Sequence, residues 1–356
     1  CIRGCRFCQS GMIYRPVREK SPAVLNRQAR CLYDSTGYDE ISLTSLSISD
    51  YTRLSELTEN LLSWTDKNMV SLSLPSLRAD SFSKELMDRV ASVRTSSLTF
   101  APEAGTQRLR DVINKNVREE DILHAARVAF DAGKTTVKLY FMSGLPTETN
   151  EDLAGIAELA SRVVHSYYEN PNRQKGRSPL VTISVSCFIP KPFTPFQWEA
   201  QDTMEMLAEK QAYLGSKVTD RKVRYTHHDA RVSRVEAVLA RGNRKLSAAL
   251  LLAAEEGFCF DAWDEFFDYD RWMSVFSRAG IDPAFFANRQ IGPEEILPWD
   301  MIDCGVSKAF LLRERARAYA GKTTPNCRER CSGCGVSREL NEKGVTCSGN
   351  CPCVLR

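Results

Sequence analysis

An α/β fold built on a parallel sheet is what this sequence predicts, and three observations carry it. Apolar or alternating runs at 40–46, 70–77, 97–102, 136–141 and 181–189 read as strands. A helix-period pattern with its own start signal follows nearly every one. Past residue 202 the strand signal fades and helices dominate. Strand-then-helix units in regular succession imply a parallel sheet with covering helices, curled into a barrel or doubly wound.

The elements can be justified in order. Ser21-Pro22 opens a helix over 22–33, because proline suits the first helical turn. The strand at 40–46 alternates with period two, and helix 51–64 sets Leu54, Leu57, Leu61 and Leu62 on one face. Strand 70–77, helix 83–93 and strand 97–102 come next. Asn116, three residues before Glu119, reads as an N-cap with a capping-box partner for a helix to 132. Ile122, Ala125, Ala126 and Ala129 form its buried stripe, and Gly133 suits its C′ position. After strand 136–141, Thr149 caps a helix to about 168 with Asp152 three residues on. Strand 181–189 follows the polar surface loop 170–179. The segment 223–226 reads as a last strand, before helices at 233–240 (opened by Ser233-x-x-Glu236), 245–256, 260–278 and 303–319. The aromatic run Trp263, Phe266, Phe267, Tyr269, Trp272 and Phe276 is expected to form a packed helical layer.

Composition narrows the function classes. A net charge of +3 argues neither for nor against nucleic acid. No stretch approaches eighteen apolar residues and no secretory signal is visible, so no membrane partner is expected. Thirteen cysteines are many, and nine stand in clusters at the two ends. Such spacings without a secretory signal read as metal ligation in a reducing, cytoplasmic compartment. The isolated Cys31, Cys187, Cys259 and Cys304 are expected to be small core residues.

Cys1, Cys5 and Cys8 lie at C-x3-C-x2-C spacing, which lets one tight loop offer three thiolates to one metal centre. Three donors leave a coordination position open, as a catalytic metal needs; half of a zinc site, or a cluster completed by a cysteine elsewhere, are the alternatives. Together with the aromatic Phe7 before the third cysteine, the stretch resembles the radical S-adenosylmethionine (SAM) signature. The resemblance implies a [4Fe–4S] cluster on Cys1, Cys5 and Cys8 whose unique iron is chelated by SAM. It implies reductive cleavage of SAM to methionine and a 5′-deoxyadenosyl radical, with a reductant such as flavodoxin or ferredoxin. It also implies the housing: a partial parallel (β/α) barrel of radical SAM type, with this loop after its first strand. Because the sequence opens inside the motif, the expectation is a fragment whose first barrel strand lies upstream.

Barrel active sites sit at the C-terminal ends of strands. There the resemblance implies SAM contacts. Thr44 and Ser45 stand where many members carry Gly-Gly-Glu, similar to the Leu-Thr-Gly of the methylthiotransferase branch. Glu103 stands at the ribose or amine contact. Lys138 is a partner for the SAM carboxylate, with a structural ion pair as the alternative. Gly144 and Pro146 lie in a turn resembling Gly-x-Pro-Gly-Glu-Thr, with Thr147 in place of glycine. Ile189 stands at the adenine contact through its backbone. Arg78 reads equally as an anion clamp or as the partner of Asp80. His227 and His228, adjacent on a strand, point to opposite faces and do not easily share one ligand. No catalytic residue is assigned.

The stretches 5–19 and 188–198, with His228-Asp229, Arg241-Gly242-Asn243-Arg244 and Leu297-Pro298-Trp299-Asp300, are similar to radical SAM proteins that carry an upstream cobalamin (B12)-binding domain. That domain is not in this sequence, so cobalamin enters only through it, with radical methylation as the implied reaction. After residue 321 stand Cys327, Cys331, Cys334, Cys347, Cys351 and Cys353, read as either a second iron–sulfur cluster or a zinc site. The expected organisation is a barrel at 1–230, a helical region at 231–320 and a metal-binding tail at 321–356. The function read is SAM cleavage acting on an unknown substrate, RNA included. The alternatives are an iron–sulfur electron-transfer or sensor protein, a tRNA-modifying methylthiotransferase-like enzyme, and a zinc-binding interaction module.

Overall fold

The computed structural model describes residues 1–74, 78, 98–171, 173, 176–336 and 354–355. Its centre is a four-stranded parallel sheet in the order β4-β5-β6-β7, formed by Leu98–Glu103, Thr136–Ser143, Leu180–Cys187 and Val223–His227. Two shorter parallel pairs join β2 (Glu40–Ser42) to β3 (Ser71–Ser73), and β1 (Val17–Arg18) to β8 (Val354–Leu355). A strand stands in α/β order at each of the expected positions 40–46, 70–77, 97–102, 136–141, 181–189 and 223–226, although β2 ends at Ser42 and β6 at Cys187, short of the expected 46 and 189. The helix expected at 83–93 lies outside the described residues.

Alternation explains how the sheet packs. Val137, Leu139 and Phe141 of β5 and Val181, Ile183 and Val185 of β6 point to one face. There they meet helices α5 (Glu119–Asp131) and α6 (Asn150–Glu169) through Ile122, Ala126, Ile156 and Ala160. The opposite face carries Lys138, Tyr140, Thr182, Ser184, Arg224 and Thr226, with Lys138 paired in register to Thr99 and Thr182. Parallel sheets are usually apolar on both faces; this one keeps a polar second face.

The remaining helices are α1 (Ser10–Ile13), α2 (Pro22–Thr36), α3 (Leu54–Thr65), α4 (Gln107–Val112), α7 (Met204–Lys217), α8 (Ala230–Arg241), α9 (Leu246–Glu255), α10 (Tyr269–Arg278), α11 (Pro283–Ala287) and α12 (Lys308–Tyr319). The C-terminal helices build a second core around Val235, Val238, Ala249, Trp272, Val275 and Phe276.

Several boundaries differ from expectation for local reasons. Helix α5 is capped at Arg118, whose N–H donates to Asp121 at 2.8 Å, while Asn116 takes a left-handed φ of +52° outside the helix. Helix α8 starts a turn before Ser233, because the Asp229 carboxylate accepts the Arg231 N–H at 2.8 Å. Helix α10 begins only at Tyr269, so Phe260, Trp263 and Phe266 lie on turns and are exposed; Trp272 and Phe276 alone of the expected layer are deeply buried. Cys31 and Cys259 are exposed rather than core residues; Cys187 is buried and Cys304 half-buried. Helices α1, α4, α7 and α11 carried no expectation.

Candidate cluster and cofactor site

The cysteine loop sits on the C-terminal ends of the central strands. Phe7 packs against an apolar cluster whose members include Ala104, Leu145 and Phe188, which follow β4, β5 and β6 within two residues. Cys8 donates its N–H to the Cys5 carbonyl at 3.2 Å, closing a turn that keeps both thiols on one loop. Cys1, Cys5 and Cys8 are half-buried free thiols. Burial pushes the Cys8 thiol up, with Cys5 adding; the Gly11 N–H and the Lys115 ammonium pull the other way. Displacing that proton is work that a bound metal does.

Four anchors hold this loop, and the sequence signalled none of them. Arg3 forms a two-point pair with Asp50, at 2.7 and 3.1 Å, tying the loop to the segment after β2. The wholly buried Arg6 donates to Glu314 on α12 at 3.1 and 3.2 Å and to the carbonyls of Val112 (2.9 Å) and Lys322 (2.6 Å). Asn114, also wholly buried, donates to the carbonyls of Gly4 at 3.0 Å and Thr324 at 3.1 Å, and accepts the Thr324 N–H at 2.7 Å. The Cys327 N–H donates to the Ile2 carbonyl at 3.0 Å. Arginine and asparagine ordinarily read as surface residues, and their partners lie up to 316 residues away.

The strand-end candidates fall into two groups. Glu103 ends β4 at a left-handed φ of +69°, after a register irregularity against β5. Its carboxylate meets Lys115 at 3.0 Å, and both groups act electrostatically on Cys8. Gly144, at φ +85°, opens the turn after β5, and a side chain there would strike the Asp202 carboxylate at 2.9 Å. Thr147 takes φ +66°, the conformation for which glycine is usual, which accounts for the residue type it replaces. Beneath this turn Glu148 accepts the Gly144 N–H at 2.8 Å and pairs with Lys210 at 2.9 Å; burial still pushes its carboxyl up. Pro146 is half-buried in the same turn. Thr44 and Ser45 are exposed just past β2, with the Ser45 hydroxyl accepting the Ser47 N–H at 3.0 Å.

The second group stands apart from the loop. Lys138 lies five residues before the end of β5, about 16 Å along a strand. Its ammonium sits over the Tyr140 ring, 4.6 Å from the centroid. The Ile189 side chain packs into the helical layer, leaving only its backbone for a ligand. Arg78 donates to the carbonyls of Lys115 (3.0 Å) and Asn116 (3.3 Å); Asp80 lies outside the described residues. His227 and His228 are exposed, and the His227 ring meets the His228 carbonyl at 3.2 Å. Cys347, Cys351 and Cys353 also lie outside the described residues. Among the described residues, no three His, Cys, Asp or Glu groups converge on a single-ion position.

Three free thiols on one pinned turn, beside an ion pair and a glycine-bearing turn, fit an iron–sulfur cluster with an amino-acid ligand. The Radical SAM superfamily model matches residues 1–160. An uncharacterized protein of Methanocaldococcus jannaschii is 33% identical over 281 residues, and the chain spans 59% of that relative's length, using 79% of its own. Among solved structures, SuiB of Streptococcus suis is similar at a TM-score of 0.43 and 14% identity, over 64% of this chain and 47% of that one. The Elp3 of Methanocaldococcus infernus with an N-terminal deletion is similar at 0.39 and 13%, over 73% and 60%. HydG, a maturase of the [FeFe]-hydrogenase, is similar at 0.36 and 12%, over 92% and 81%. No helix among the described residues is long and apolar enough to cross a membrane. The Radical SAM superfamily model thus lies over the cysteine loop and over β1 to β5, and it is to that superfamily that residues 1–160 are similar.

Proposed function

We propose that this chain holds a [4Fe–4S] cluster on Cys1, Cys5 and Cys8 and acts as a SAM-cleaving enzyme on an organic substrate. The observation that carries the reading is the packing of Phe7, from the cysteine loop, on the apolar cluster that gathers residues following β4, β5 and β6. Bound there, the cluster and SAM supply reductive cleavage of SAM to methionine and a 5′-deoxyadenosyl radical. The chain's own residues position and shield. Arg3, Arg6 and Asn114 hold the loop still. Glu103, held by Lys115 at 3.0 Å, accepts hydrogen bonds from the SAM amine or ribose. The Gly144–Pro146 turn and the exposed Thr44–Ser45 backbone offer main-chain contacts. Lys138 and Ile189 support this reading least, since one lies down the strand and the other turns its side chain away.

The substrate enters along the polar face of the sheet. A flavodoxin or ferredoxin is the fitting electron donor. Where a cobalamin-binding domain accompanies the chain, methylation is the reaction that follows. The division at 230 and 320 into barrel, helical region and tail belongs to the same reading.

The test is anaerobic reconstitution of the full chain with iron and sulfide, then dithionite and SAM. Chromatography is expected to show 5′-deoxyadenosine, and its loss when Cys1, Cys5 and Cys8 are replaced by alanine. No product from a chain whose cluster is confirmed by EPR overturns the proposal.

A further inference from the structure

We propose that Cys304 completes a second iron–sulfur site with Cys327, Cys331 and Cys334. In sequence Cys304 is isolated, more than twenty residues ahead of the tail. The fold closes that gap. All four thiols belong to one apolar cluster, with Cys327 and Cys334 inside it and Cys304 and Cys331 at its margin. The segment holding Cys304 is built to meet the tail. The Asp303 carboxylate accepts the Gly305 N–H at 2.7 Å, and the Ser307 N–H then donates to the Cys334 carbonyl at 2.8 Å. Gly335, at φ +112°, lies so close that a side chain would stand 2.8 Å from the Gly305 carbonyl and 3.1 Å from the Ser307 nitrogen. Backbone contact of Cys334 and Gly335 with Gly305 and Ser307 brings the segment that carries Cys304 against the tail.

Four cysteines packed together can be nothing more than small apolar residues. Three observations favour ligation. Cys304 and Cys331 are half-exposed and so do little to fill a core. The Gly333 N–H donates to the Cys331 sulfur at 3.4 Å, the kind of bond that stabilises a thiolate on iron. Cys327, Cys331 and Cys334 repeat the spacing of Cys1, Cys5 and Cys8. A cubane spreads its four thiolates over four irons.

The site is testable apart from SAM chemistry. In the full chain with Cys1, Cys5 and Cys8 replaced by alanine, anaerobic reconstitution is expected to leave about four irons per chain. Adding Cys304→Ala is expected to lower iron and sulfide and to replace the EPR signal with that of a three-iron cluster or none. Cys304→Ser, which preserves volume, is expected to alter the cluster's EPR signal with unchanged circular dichroism, while Cys31→Ala retains the original spectrum. Iron and EPR spectra unchanged in both Cys304 variants overturn the proposal, and so does one zinc in place of iron. Failure of SAM cleavage in the native chain, with the second cluster still present, overturns only the earlier reading.

Discussion

Arg6 shows how much of the site rests on single buried charges. Burial lowers the guanidinium pKa from its ordinary value, and the Glu314 carboxylate works against that fall. Removing one partner of a buried pair costs about 3–5 kcal/mol, because the other charge is left without compensation. Arg6→Met is therefore expected to lower stability by about that amount in urea titration, and to reduce iron loading at the first loop. Adding Glu314→Leu recovers part of the loss; an unchanged midpoint for Arg6→Met removes Arg6 from this role. Cysteine spacing made the candidate ligands legible, since thiols at fixed intervals have few other uses. Arg6 was not legible, because its meaning depends on a carboxylate 308 residues away.

Helix α6 and the end of β4 form the unit that aims Glu103. Asp152 caps α6, accepting the Thr149 N–H at 2.8 Å as well as bonds from Thr106 and Arg108. Burial raises its carboxyl, but these bonds outweigh burial and hold it below the ordinary 3.8. The unfolded chain therefore takes up the proton first. The contribution is complete above about pH 4 and is lost as pH falls through the folded value. Thermal unfolding of Asp152→Asn is expected to show a shallower acid limb than the native chain, with the difference largest near neutral pH. Gly105 sits against the same helix, where a side chain would stand 2.3 Å from the Asp152 carbonyl and 2.4 Å from the Ile156 nitrogen. Gly105→Ala is expected to cost about 1–3 kcal/mol by pushing β4 and α6 apart; a neutral result in urea titration contradicts the contact. Thr149 and Asp152 were legible as a capping box because the motif is local. Asn116 and Ser233 misled for the same reason: nearer donors and acceptors at Arg118 and Asp229 took the caps. Residues 260–267 misled because aromatic density does not distinguish a buried helix from exposed turns.

Across the whole molecule, the strand order was readable because alternating β and α patterns leave few topologies. The closing of the tail onto the first loop was not readable, since no pattern links Ile2 to Cys327 or Gly4 to Thr324 by way of Asn114. Ending the chain after Gly321 is expected to reduce iron at Cys1, Cys5 and Cys8 several-fold, although those cysteines remain; full loading of the shortened chain contradicts the anchoring. The bond from Arg6 to α12 also imposes an order of manufacture. The cysteine loop is among the first of these residues to leave the ribosome, and its anchor Glu314 among the last. Until α12 emerges, the loop has its anchors to Asp50, Val112 and Asn114 but not the one to Glu314. For the proposed cluster, stable loading at Cys1, Cys5 and Cys8 is therefore expected only once α12 has been translated.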